Sequence, residues 1–92
     1  MTAYSVPDRV AHVRRDEDGL PQVFLMRLPD GPPVALEGTA ALIWIFAVDE
    51  TVDDVAGAVA DCVGEKRDVI AEDVEAYLVR LVETGLLDAS RD

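Results

Sequence analysis

Apolar and polar residues alternate in the first third of the chain and recur at helical spacing in the rest, which predicts strands first and helices after. Residues 10–15 alternate, and Asp16-Glu17-Asp18-Gly19 then reads as a turn. Residues 23–28 form a stronger strand, with Phe24, Met26 and Leu28 on one face and Val23, Leu25 and Arg27 on the other. Two largely apolar faces predict a strand in mid-sheet or covered on both sides. Pro29-Asp30-Gly31-Pro32 is a second turn. Residues 33–36 make a brief third strand, held to an edge because Pro32 and Pro33 lack a backbone N–H. The pattern is a three-stranded antiparallel meander whose last strand is open on one side.

The period changes after residue 37. Residues 39–47 are apolar nearly all round, as expected of a buried central helix. Thr51 with Asp54 three residues on is a capping signal for a second helix carrying Val55, Ala56, Val59 and Ala60, ended by Gly64. A third, longer helix begins between Asp68 and Ala71 and runs to Thr84, with Gly85 as its C-cap. At about 100° per residue, Ile70, Val74, Tyr77, Leu78 and Leu81 share one side of it, and Val82 and Val79 widen the arc. The usual explanation of such a stripe is a helix wedged between sheet and neighbours; the functional one is a helix whose apolar edge also walls a groove.

The fold class is therefore α+β: a three-stranded antiparallel sheet over residues 8–36, then three helices over residues 38–87, in one domain spanning residues 1–92. Trp44 and Phe46 are scarce aromatics expected to fill the core. The start shows no signal-peptide pattern, and the longest apolar run falls short of the roughly 20 residues a membrane span needs. With a lone Cys62, this predicts a soluble, cytoplasmic protein that does not engage the membrane.

Charge removes one class of partner. The formal net charge is −11, from 19 acids against 8 bases. Duplex binding depends on clustered Lys and Arg that displace counterions. Here Arg14-Arg15 precede Asp16-Glu17, and Lys66-Arg67 lie between Glu65 and Asp68. Nucleic acid is disfavoured.

The inventory for catalysis is thin. His12, the single histidine, lies in the first predicted strand with no serine or cysteine near it and reads as solvent-facing. Cys62, near a helix end, reads as a small hydrophobe. One His and one Cys do not make a metal site, and no Gly-rich phosphate loop exists. No cofactor, metal or catalytic residue is predicted; the chain is not expected to be an enzyme.

Three stretches carry a resemblance: Val-Ala-Leu-Glu-Gly-Thr-Ala-Ala-Leu-Ile-Trp (34–44), Thr-Val-Asp-Asp-Val-Ala (51–56) and Val-Glu-Ala-Tyr-Leu-Val-Arg-Leu-Val-Glu-Thr-Gly-Leu-Leu (74–87). Following a run of strands, they resemble a winged helix-turn-helix, and in detail the PqqD-like peptide-recognition domains (RiPP recognition elements) of ribosomally made, modified natural products. Glu37 stands where family members often have Asn, and the link from Gly64 to Val74 is short. The resemblance implies that a precursor's leader lies along the third strand as an added antiparallel strand, its side chains entering a cleft against the third helix. The implied peptide-binding residues are Val34, Ala35 and Leu36 with Asp73, Val74, Glu75, Tyr77, Leu78 and Leu81. Asp73 and Glu75 would meet leader lysines. The chain is similar in size to leader-binding proteins of lasso-peptide biosynthesis, which work with a leader peptidase and a macrolactam cyclase. The alternatives are a PqqD-like chaperone for a radical enzyme in cofactor biosynthesis, a winged-helix DNA binder, and an oligomerisation module.

Overall fold

The computed structural model describes residues 2–17 and 19–91 and divides into two small sheets and three helices. Strands β1 (Thr2–Ser5), β2 (Val10–Glu17), β3 (Leu20–Arg27) and β4 (Pro33–Glu37) precede helices α1 (Thr39–Ala47), α2 (Val55–Val63) and α3 (Arg67–Glu83), and strand β5 (Asp88–Arg91) follows them among the described residues. The predicted meander is β2-β3-β4, antiparallel throughout. Its central strand is β3, as two apolar faces predict. The hairpin is tighter than expected, because Asp16 and Glu17 still pair with Pro21 and Leu20. The rest of that turn includes Asp18, which lies outside the described residues.

Strands β1 and β5 were not expected. They form a separate antiparallel pair running from Thr2↔Arg91 to Ser5↔Asp88, so strand structure extends beyond residues 8–36 at both ends. Four-residue strands leave too short a pattern to read, and their partners lie at opposite ends of the sequence.

The core lies between the inner face of β2-β3-β4 and the helices. Val23, Leu25 and Leu36 are buried from the sheet side; Ile43, Trp44, Ala56, Val59, Val74, Leu78 and Leu81 meet them from the helices. Alanines at 41, 47 and 56 let the helices approach closely. Each large aliphatic side chain withdrawn from water contributes about 1.5–3 kcal/mol. Phe46 is half-buried and packs at the margin of this cluster.

Two expected helix starts differ. Helix α2 starts at Val55 with Asp54 as its N-cap. Thr51 turns instead to Asp49, its N–H and hydroxyl both donating to Asp49 Oδ1 at 2.9 and 2.7 Å. This local loop bond satisfies Thr51 before the helix begins. Helix α3 starts at Arg67, one residue before the predicted window, where Arg67 donates to Asp54 through Nε (2.7 Å) and Nη2 (3.1 Å). That fork joins the first residue of α3 to the start of α2 and pulls the helix boundary back.

The helix ends follow the glycines. Gly64 is left-handed after α2 (φ 73°), and Gly85 after α3 (φ 80°). Past α3, the Leu86 N–H donates to the Leu81 carbonyl at 2.9 Å, and the reversal drops Leu86 and Leu87 into the core.

Candidate functional site

Within its sheet, β4 is paired on one side only, with β3. Alternate residues of such an edge aim their N–H and C=O groups at the open side. Strand β2 is the other edge of the same sheet, but neither of the two depressions described below is lined by it. Along β4, Leu36 is buried, Val34 is half-buried and Ala35 is exposed, as strand alternation requires. Glu37 ends the strand, and Gln22 Nε2 donates to its Oε1 at 3.3 Å.

Gly38 (φ 60°) turns the chain from β4 directly into α1. Thr39, two residues past the strand, begins the wall of a depression of about 290 Å3 between α1 and α3. Ala40 and Ile43 continue that wall, and Ile70, Asp73, Val74 and Tyr77 face them from α3. Its volume sits at the small end of ligand sites, roughly 300–1,000 Å3, which suits a few side chains better than a cofactor. The lining is mainly apolar, with the Asp73 carboxyl as its charged member. Tyr77 is half-buried, and loss of hydration pushes its phenol above the usual tyrosine range, against the opposing pull of the Arg80 charge. At neutral pH the phenol therefore keeps its proton and offers both a donor and an apolar ring.

The structure divides the predicted residues of α3. Asp73, Val74 and Tyr77 share this depression. Glu75 and Leu78 line a different one, of about 630 Å3, bounded by β1, the α1–α2 loop and the start of α3. Leu78 and Leu81 are buried in the core, so their side chains support the helix more than they meet a visitor; Val74 is buried too, but lines the depression. Val79 is 56% exposed and does not join the buried arc. Sequence reasoning missed Thr39, Ala40 and Ile43, which α1 contributes. The signal was present in the all-round apolar character of that helix, which leaves some apolar positions facing outward near its start.

The larger depression is charged. Asp49, Glu50, Asp53 and Asp54 stand on its rim, and its one guanidinium, Arg67, is engaged by Asp54. The Arg67 hydrogen bond, aided by the nearby Gly57 N–H, holds the Asp54 carboxyl below the usual carboxylate range. The smaller, apolar depression at the end of β4 offers more to an apolar side chain.

Elsewhere the chemistry is sparse. Among the described residues, no three His, Cys, Asp or Glu side chains gather to hold a metal ion. Cys62 is an exposed free thiol rather than a packed hydrophobe. His12 is solvent-exposed as predicted, yet its ring lies 5.2 Å from that of Trp44, tilted by 52°. No helix among the described residues is long and apolar enough to cross a membrane.

The family model of coenzyme PQQ synthesis protein D (PqqD) matches residues 22–87, well over half of the sequence. The chain belongs to the PqqD family. The PqqD match begins inside β3 and closes with Leu87, so it takes in β4 and the two helices, α1 and α3, that line the apolar depression. Strands β1 and β5 fall outside the PqqD match. Comparison with curated proteins and with solved structures gave no match.

Proposed function

We propose that this PqqD-family chain is a non-catalytic adaptor that holds the leader of a ribosomally made precursor peptide on the free edge of β4. The observation that carries the reading is the apolar depression of about 290 Å3 opening where that edge runs into α1. An added strand gains a few backbone hydrogen bonds, each worth about 0.5–1.5 kcal/mol net. These are nearly blind to sequence, and ordering a flexible peptide opposes them. Selectivity then comes from alternate side chains of the visitor seated in the cleft.

The arrangement is winged-helix-like, with β4 and α3 serving a peptide in place of a nucleic acid. Val34, Ala35 and Leu36 supply the edge. Val74 and Tyr77 supply the pocket wall together with Ile70 and Ile43, and Asp73 sits at its mouth for a leader lysine. Leu78 and Leu81 hold the wall from behind, and Glu75 acts at longer range. The bound leader is presented to a maturation peptidase and a macrolactam cyclase, as the resemblance to lasso-peptide pathways implies. The matched family's description, a protein of coenzyme PQQ synthesis, favours one alternative: a chaperone handing the peptide to a radical enzyme in cofactor biosynthesis.

The test uses a fluorescein-labelled synthetic leader from the short precursor gene nearest to this chain's gene, read by fluorescence polarisation. Alanine is placed at each apolar leader position in turn. Two or three positions should dominate, each costing at least tenfold, about 1.4 kcal/mol. A shallow, even loss along the whole leader would sink the strand-and-pocket reading. Ile70→Ser, at the half-buried rim, should weaken the same complex while leaving the fold intact.

A further inference from the structure

The backbone ladder fixes which residues of β4 face the free edge. The Gly38 N–H donates to the Pro21 carbonyl at 3.4 Å, one step beyond the pair Gln22↔Glu37. In an antiparallel pair, hydrogen-bonded positions alternate with free ones. Val34, Leu36 and Gly38 therefore turn their backbone groups to β3, and Pro33, Ala35 and Glu37 turn theirs outward. On the other side of β3, the Leu28 N–H donates to the Arg9 carbonyl at 2.6 Å, one step beyond Val10↔Arg27. Even-numbered residues of β3 thus bond β2 and odd-numbered ones bond β4, so the two ladders agree. Pro33 removes no bond to β3, because its missing N–H lies on the open side. The usable edge is short: the Pro33 carbonyl, and both backbone groups of Ala35 and of Glu37.

Leu36 is buried and Val34 half-buried toward the helices, so Pro33, Ala35 and Glu37 carry their side chains on the opposite face. Glu37 is the charged member of that outward set. It is exposed, and across the sheet it follows Arg15 and Gln22 in one row. Gln22 Nε2 donates to Glu37 Oε1 at 3.3 Å, a neutral bond that steadies the carboxylate and leaves its charge in place. Among the described residues, no cation pairs with Glu37.

Resting on the leader-binding reading above, we propose that Glu37 selects the leader by charge, taking a lysine or arginine at the leader residue directly opposite it. In an added strand that residue is a hydrogen-bonded partner, about 5.5 Å away between Cα atoms, with its side chain beside the carboxylate. Its two sequence neighbours point to the other face, toward the helices, where the depression opens past Glu37. The leader therefore carries a basic residue immediately next to its apolar anchor. Two residues along, the next outward side chain lies beside Ala35, with Phe24 and Val13 behind it, a row that offers no charge. Asp73 acts from the inner face, so the two carboxylates address leader positions of opposite parity.

The labelled leader described above is remade with glutamate at each position in turn. Each version is titrated at low salt against the parent and Glu37→Lys by fluorescence polarisation. Glu37→Lys should bind the unaltered leader roughly threefold to tenfold more weakly. One leader glutamate, replacing a lysine or arginine next to an apolar position that dominates the alanine scan, should weaken the parent by the same factor. That glutamate combined with Glu37→Lys should return affinity to within twofold of the original pair. If Glu37→Lys lowers the melting temperature, Glu37→Gln decides. It keeps an acceptor for Gln22, and should weaken the unaltered leader at least twofold while leaving a leader with alanine at the basic position unaffected. The proposal is overturned if Glu37→Lys rescues no glutamate, or rescues every position alike, as a general effect of net charge would. It is overturned too if the rescued position lies two residues from the anchor, or if no basic residue adjoins an anchor. Those outcomes leave the strand and pocket standing, whereas a parent that binds no leader at all removes the reading beneath.

Discussion

The indole N–H of Trp44 donates to the carbonyl oxygen of Leu86 at 3.3 Å, tying the central helix to the segment that follows α3. Both residues are buried, so removing the donor leaves a carbonyl without its partner. Trp44→Phe keeps most of the ring packing and should cost about 1–3 kcal/mol. For a domain this size, each kcal/mol lowers the melting temperature by roughly 4–8 °C. Trp44→Ala should cost about 3–5 kcal/mol. Calorimetry giving Trp44→Phe within about 1 °C of the parent would show that the bond contributes nothing net.

Gly85 answers to two constraints at once. Its φ of 80° is left-handed, and a Cβ there would lie 3.1 Å from Arg27 Nε. Gly85→Ala should destabilise by about 1–2 kcal/mol from the backbone alone, and Arg27 must also shift. Chemical denaturation of Gly85→Ala alone and combined with Arg27→Ala separates the parts. The fraction of the loss that remains in the Arg27→Ala background is the backbone cost.

Acid should weaken the α2–α3 junction. Asp54 is held below its ordinary range first by the Arg67 hydrogen bond, and Asp49 by the hydroxyl and N–H of Thr51. A depressed folded-state pKa adds stability above the unfolded value, about 3.9 for Asp. That stability is lost as pH falls through the folded value. Both groups are exposed, so the effect is small, and relief of the −11 self-repulsion opposes it. The comparison of Asp54→Asn with the parent isolates it. The parent should be the more stable at neutral pH, and the two melting curves should converge below about pH 4. A gap constant down to pH 2 would remove the ion pair from the account.

Asp73 at the mouth of the apolar depression should steer a lysine-bearing leader. Screening lengths shrink from about 30 Å at 0.01 M salt to about 8 Å at physiological strength. Steering acts mainly on association. The on-rate measured by stopped flow should therefore fall with salt, and Asp73→Asn should flatten the dependence. An on-rate independent of salt in the parent would confine the acidity to solubility.

The meander, the three helices and their glycine ends were legible because each is written in a local period or in one residue's backbone freedom. Gly64 and Gly85 stop their helices where predicted, and Pro33 opens an edge strand. What was not legible is set by neighbours distant in sequence. A helical wheel puts Val74, Tyr77, Leu78 and Leu81 on one side of α3, but only packing decides that Tyr77 reaches a groove while Leu81 enters the core. Thr51 carries a capping signal, yet Asp49 two residues away takes its hydroxyl first. The pairing of β1 with β5 joins residues nearly a chain length apart, beyond the reach of any periodicity.

That pairing has a topological consequence. With Thr2 opposite Arg91, β1 and β5 are neighbours, and the backbone between residues 2 and 91 is almost a closed ring. A short linker from Arg91 to Thr2 would complete it, and the ring could be reopened at the exposed Glu65-Lys66 loop, where no strand or helix is cut. Such a circular permutant would have every strand and helix beside its present neighbours, with new ends emerging between α2 and α3.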